Sequence, residues 1–187
     1  LCDPDTLNPL PDEVLAAGFA EVIKYAVIGD ADLFSLLGKT DSPDMETVIA
    51  RCVSQKARIV EEDETDHGVR KHLNFGHTAG HAIELHSKFS LMHGHGVAIG
   101  MMIATEYAVR LGLCPEAVLP ALSALLKKYH LPTETEYGTE DLYEASTRDK
   151  KREGNEIDVV LPTGIGSCML KRIPILDLPV FLSGGRV

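Results

Sequence analysis

The stretch His93-Gly94-His95-Gly96-Val97-Ala98-Ile99-Gly100-Met101-Met102-Ile103-Ala104-Thr105-Glu106-Tyr107-Ala108-Val109-Arg110-Leu111 decides the fold. From Gly94 onward it is apolar on nearly every side. A helix with almost no solvent face belongs at the centre of a core. Its first turn is different, with two histidines separated by glycines. Small residues at such a point let a backbone approach a ligand closely.

Outward from this helix the pattern stays helical. Upstream, Leu73 to His86 carries further histidines. Before it, Met45, Val48, Ile49, Cys52, Val53, Lys56, Ile59 and Val60 keep the 3-4-3-4 spacing of one buried stripe. Ser42-Pro43-Asp44 reads as its N-cap, first helical residue and acidic first turn. Lys56 on that stripe is odd for a lysine, and a snorkelling side chain is the plain reading. Pro11-Asp12-Glu13 opens a helix that runs apolar from Val14 to Ile28 and stops at Gly29-Asp30. A short one follows from Ala31 to Leu37, closed by Gly38. Downstream, a helix between Pro115 and Tyr129 is expected to kink or split at Pro120, and another follows Thr139. Only near the C-terminus does the period change. Ile157 to Leu161 and Ser167 to Arg172, joined by Pro162-Thr163-Gly164-Ile165-Gly166, read as a β-hairpin. The expected fold is mainly α: one multi-helical domain over residues 1–187 with a small β-hairpin near its end.

The 187 residues have 44% hydrophobic and 25% charged content, the balance of a folded globule. A net charge of −10 argues against nucleic acid or an anionic membrane as partner. It leaves room for a small anion in a locally basic pocket. No apolar run reaches the ~18 residues of a membrane span and no signal peptide is legible, so a cytoplasmic protein is expected. Cys2, Cys52, Cys114 and Cys168 form no CxxC pair, and reduced thiols are expected. The chain begins at Leu1, which fits a fragment of a longer protein. Gly94-x-Gly96-x-x-x-Gly100 has the wrong spacing for a dinucleotide fingerprint, and Gly164-Ile165-Gly166 sits in a hairpin turn. A Rossmann phosphate cradle is therefore expected outside this chain.

Seven of the eight histidines fall between His67 and His95; only His130 lies elsewhere. His77 and His81 are four apart, so a helix puts both imidazoles on one face. Glu21 and Lys24 are three apart on an otherwise apolar helix. A buried carboxylate there is costly unless it is paired or bound to a metal. Two readings stand: a Glu21–Lys24 ion pair at the surface, or a ligand. For the histidines, satisfied core or surface positions compete with metal binding. One carboxylate and two neutral imidazoles make a catalytic-zinc set with positions left for substrate oxygen, suited to Zn²⁺ or Co²⁺. His77-x-x-x-His81 lacks the glutamate of HExxH, so a zinc-protease reading finds no support.

These residues also resemble a family. Gly18-Phe19-Ala20-Glu21-Val22-Ile23-Lys24 is similar to the G-x-A-E-[VI]-[IV]-K segment of 3-dehydroquinate synthases. Arg70-Lys71-His72-Leu73-Asn74-Phe75-Gly76-His77-Thr78-Ala79-Gly80-His81-Ala82-Ile83-Glu84 resembles their most distinctive stretch, R-x-x-L-N-x-G-H-T-x-G-H-A-I-E. His93-Gly94 with Val97-Ala98-Ile99-Gly100-Met101 resembles H-G-E-x-V-A-I-G-M, and Asp149-Lys150-Lys151 resembles D-K-K. The likeness is to the C-terminal, mainly helical domain of the dehydroquinate synthase-like fold. It implies metal ligands Glu21, His77 and His93. It implies that Lys24, Lys56, Arg70, Asn74 and His81 face the substrate, and that Lys150, Lys151 or both reach its phosphate or carboxylate end. Asp66 stands where the family has glutamate, His95 where it has the glutamate of H-G-E, Pro9 where it has threonine, and Glu13 where arginine is common.

The resemblance further implies a lyase of the shikimate pathway that makes 3-dehydroquinate from a seven-carbon keto-acid sugar phosphate. Such an enzyme uses NAD⁺ and Zn²⁺ or Co²⁺ and works as a homodimer. Its NAD-binding N-terminal domain is expected to lie outside residues 1–187, and the isolated chain is expected to be inactive. The competing readings are another sugar-phosphate cyclase such as a 2-deoxy-scyllo-inosose synthase, a metal-dependent polyol dehydrogenase, and a non-catalytic helical metal-binding module.

Overall fold

The apolar helix at the middle of the sequence lies at the middle of the molecule. A computed structural model describes residues 2–65, 68–147 and 155–186. The helices among them are α1 Asp12–Gly29, α2 Ala31–Lys39, α3 Met45–Glu62, α4 His77–His86, α5 His93–Arg110, α6 Val118–Lys128, α7 Thr139–Thr147 and α8 Leu178–Leu182. Strands β1 Glu156–Gly164 and β2 Ser167–Pro174 pair antiparallel. Helix α5 touches α1, α4, α6, α8 and β1, and buries Val97, Ala98, Met101, Ala104 and Ala108. The fold is mainly helical with a late hairpin, as the periodicity implied.

Two glycines set how closely the central helices meet. A Cβ at Gly94 would overlap the Ala17 carbonyl on α1, and one at Gly100 would overlap the Gly76 carbonyl at the start of α4. Any larger residue would push these backbones apart. Because both contacts flank the histidine-bearing ends of α4 and α5, they decide which side chains converge there.

Some boundaries differ from the sequence reading, each for a local reason. The cap of α3 is Asp44, whose Oδ2 accepts from the Thr47 amide at 3.2 Å, and not Ser42. Helix α2 runs through Gly38 to Lys39. Pro120 falls in the first turn of α6, where no intrahelical N–H bond is required, so it does not kink or split that helix. The buried face of α3 follows Val48, Cys52, Gln55 and Ile59, while Val53 and Lys56 are exposed. Helix α3 packs on α1 along one narrow side, and the Gln55 amide is drawn in by donating to the Tyr25 carbonyl at 3.2 Å. Lys56 therefore does not lie on a buried stripe.

A 3-10 turn, Val69–Asn74, joins the α3 side to α4. The Asp63 carboxylate accepts from the Gly68 and Arg70 amides at 2.7 and 3.1 Å, and Lys71 Nζ lies 2.6 Å from Asp158 Oδ2 on β1. Arg172 on β2 adds a bond to Asp158 at 2.8 Å, and together Arg172 and Lys71 pull its carboxyl from 3.8 to about 2. The hairpin turn is itself tied to the end of α1, the Gly166 amide donating to the Val27 carbonyl at 2.9 Å. The 3-10 turn Ile175–Asp177 and α8 follow, with Phe181 edge-on to Tyr107. Among the described residues, no helix is long and apolar enough to cross a membrane.

Candidate metal centre

Glu21 projects from the middle of α1, His77 is the first residue of α4, and His93 is the first residue of α5. The close packing of these helices brings one donor atom of each within 4.8 Å of the others. Both imidazole Nε2 atoms lie 3.6 Å from the same oxygen, Glu21 Oε1. That oxygen is buried and has no hydrogen-bond partner. A buried carboxylate oxygen without a partner costs free energy unless something positive meets it.

At 3.6 Å neither imidazole is hydrogen-bonded to Glu21 Oε1. His77 Nδ1 is 3.1 Å from the Phe75 carbonyl, and His93 Nδ1 is 2.7 Å from Glu84 Oε1. Both partners accept, so each Nδ1 carries a hydrogen, and in the neutral ring Nε2 is left with a lone pair. Burial, then the nearby Lys24 ammonium, push His77 down to about 4, which keeps the ring neutral near pH 7. Two lone pairs and one carboxylate oxygen face a common point. This donor set is that of a divalent cation with room for further oxygen ligands.

Lys24 completes the cluster. It is 4% exposed, and its Nζ lies 2.6 Å from Glu21 Oε2. The ion pair weighed at the sequence level forms, but inside the cluster and through the oxygen that does not face the histidines. Burial would raise the Glu21 carboxyl, yet Lys24 and the two imidazoles leave it below its ordinary 4.5. The oxygen paired with Lys24 and the oxygen that faces the two imidazoles are therefore different oxygens of one carboxylate.

His81, one turn along α4, stands with its ring 5.4 Å from that of His77 and 6.0 Å from that of His93. It is exposed. Asn74 is exposed three residues before His77. The Arg70 guanidinium donates to the Glu64 carbonyl at 2.9 Å, and Lys56 is exposed on α3. The structure thus brings Glu21, Lys24, His77, His81 and His93 together, while Lys56, Arg70 and Asn74 sit on outer elements. Lys150 and Lys151, with Asp66 and Asp149, lie outside the described residues.

One functional candidate escaped the sequence reading. Glu84 is 8% exposed and grips His93 from α4. Its position seven residues after His77, on the same helix face as His77 and His81, was the available signal. Because Glu84 holds His93, the histidine at position 95 does not stand where the clamp is. Its own Nε2 is buried without a partner.

Helices crossed over a carboxylate and two imidazoles define the class: a helical domain with a candidate divalent-metal centre. The chain belongs to the 3-dehydroquinate synthase C-terminal family, whose model matches residues 18–152. It is 38% identical over 190 aligned residues to a 3-dehydroquinate synthase of Streptococcus thermophilus, covering 97% of this chain and 54% of that protein. It is 40% identical over the same length to that of Streptococcus gordonii, with the same coverage. The chain spans about half the length of these relatives. Among solved structures, it resembles a 2-epi-5-epi-valiolone synthase from Streptomyces hygroscopicus with NAD⁺ and Zn²⁺ bound. That match has a TM-score of 0.82 at 26% identity, over 97% of this chain and 53% of the other. A 2-deoxy-scyllo-inosose synthase complexed with carbaglucose-6-phosphate, NAD⁺ and Co²⁺ matches with a TM-score of 0.75 at 25% identity, over 94% and 54%.

Proposed function

We propose that this chain is the metal- and substrate-binding domain of a 3-dehydroquinate synthase, acting with an NAD-binding domain outside residues 1–187. The reaction is conversion of 3-deoxy-D-arabino-heptulosonate 7-phosphate to 3-dehydroquinate and phosphate. The observation that carries the reading is the buried, unpartnered Glu21 Oε1 facing two imidazole lone pairs at 3.6 Å. Identity of 38–40% to synthases of that name supports this substrate over those of the cyclases matched at 25–26%.

Glu21, His77 and His93 hold a Zn²⁺ or Co²⁺ ion. When bound, such an ion polarises substrate hydroxyl and carbonyl oxygens and makes adjacent protons easier to remove. Hydride acceptance and return belong to NAD⁺. The remaining work falls to the chain. Lys24 keeps Glu21 ionised and places positive charge beside the substrate. His81 is exposed to bound substrate and serves as proton carrier. Asn74 orients hydroxyls, while Lys56 and Arg70, with Lys150 or Lys151, attract the carboxylate and phosphate. All four cysteines are free, which fits the reducing cytoplasm, where the full enzyme acts as a homodimer.

Zinc titration against a competing chelator tests the centre. The wild-type chain binds one Zn²⁺, and Glu21→Ala or His77→Ala weakens binding beyond the roughly 100-fold that loss of an outer partner causes. Equal affinity in all three proteins would remove the centre. Phosphate release is expected from the full-length enzyme and not from this chain alone; turnover by the pure chain would defeat the two-domain reading. Assays of the full-length protein on both the keto-acid phosphate and glucose 6-phosphate separate the synthase from its cyclase relatives.

A further inference from the structure

We propose that Glu84 is a positioning residue that sets the tautomer and orientation of His93, the least supported donor of the centre. The inference rests on the metal reading of Glu21, His77 and His93. The contrast between the two imidazoles motivates it. The His77 side chain is only 13% exposed, so packing holds its ring as well as the bond to the Phe75 carbonyl. The His93 side chain is 50% exposed and begins α5, with no preceding helical turn beside it. Before it runs a connection in which Lys88 and Phe89 both adopt left-handed backbone, with φ of 54° and 61°. Packing alone leaves this ring able to rotate, and the bond to Glu84 is what stops it.

Glu84 is built for that task. It sits on α4, 8% exposed, and reaches across to α5 to accept from His93 Nδ1 at 2.7 Å. With Nδ1 committed as donor, Nε2 keeps its lone pair and points at Glu21 Oε1. Glycine at position 96 leaves room beside this contact, since a Cβ there would stand 3.3 Å from Glu84 Cγ and 3.1 Å from the Gly80 carbonyl oxygen. His81, Glu84 and His93 also converge within 4.8 Å. Glu84 Oε1 is at hydrogen-bond distance from His93 Nδ1, the contact of a residue that orients a ligand.

The test combines metal affinity with a readout that needs no metal. Zn²⁺ is titrated into wild-type protein, Glu84→Ala and Glu84→Gln, and the histidine side-chain nitrogens of the metal-free proteins are followed by ¹⁵N NMR. The expected results are a roughly 10–100-fold loss of Zn²⁺ affinity in Glu84→Ala and a much smaller one in Glu84→Gln, whose amide oxygen still accepts the bond. In metal-free wild type the His93 hydrogen sits on Nδ1, and this preference disappears in Glu84→Ala. Unchanged Zn²⁺ affinity in a folded Glu84→Ala overturns the proposal while leaving the metal centre standing, provided Glu21→Ala and His77→Ala still lose binding. Glu84→Gln as weak as Glu84→Ala overturns orientation by hydrogen bonding. A wild-type chain that binds no Zn²⁺ removes the metal reading and this inference together.

Discussion

The crossing of α1, α4 and α5 and the outer face made by α3 and the turn Val69–Asn74 hold functional side chains in opposite ways. At the crossing, backbones touch through Gly94 and Gly100, Glu21 and Lys24 pair along α1, His77 is held by the Phe75 carbonyl, and His93 is held across helices by Glu84. On the outer face, Lys56 and Asn74 are exposed, and the Arg70 side chain holds one local carbonyl. Donors that must meet a small ion within a few tenths of an ångström need preorganisation. Long cationic side chains that meet a flexible anion tolerate mobility, because binding can order them. On the proposed reading, geometric selection lies in the core and charge attraction at the rim.

Three perturbations probe this division, in descending order of effect. Gly94→Val forces α5 away from the Ala17 carbonyl, and is expected to cost about 3 kcal/mol or more and to lower Zn²⁺ binding with it. Urea unfolding monitored by circular dichroism measures the cost. Wild-type stability in this variant would mean that the crossing does not depend on close backbone contact.

Asp158→Asn cuts the tie between the outer turn and the hairpin. The Asp158 carboxyl stands at about 2 in the fold against an ordinary 3.8, so its pairs stabilise the fold fully above 3.8 and the contribution fades as pH falls toward 2. Arg172 is 61% exposed, so solvent screening limits the loss at pH 7 to about 1 kcal/mol. Denaturant midpoints of both proteins across a pH series should differ at pH 7 and converge below 3.8. A constant gap would show that the charge of Asp158 is not what holds the turn.

Lys56→Ala should change least in the fold, by no more than about 0.5 kcal/mol, and should leave Zn²⁺ affinity alone. In the full-length enzyme its effect should appear as a raised KM for the anionic substrate. A fall in melting temperature of many degrees would move Lys56 from rim to core.

Much of the fold was legible because it is local. Helix α5 announced its central place through apolar residues on all sides, and the change of period from Ile157 onward announced the hairpin. The face of α3 was misread because Val53 and Lys56 fit the stripe as well as Gln55 does not. What decided between them was packing against α1 and a carbonyl at Tyr25 needing a donor. The ligand candidates were legible through a resemblance in motif, but Glu84 was not singled out. A glutamate late in a helix reads as an ordinary solvated residue until α5 is laid across it.

The sequence by itself determined where helices and strands form and which residue types were available for metal chemistry, since periodicity, caps and side-chain chemistry are properties of neighbours along the chain. Only the tertiary structure decided that Glu21 gives one oxygen to Lys24 and leaves the other between two imidazoles, and that Glu84 holds His93. Those facts depend on which helix surfaces meet and how closely, and that is settled by packing between segments far apart in sequence.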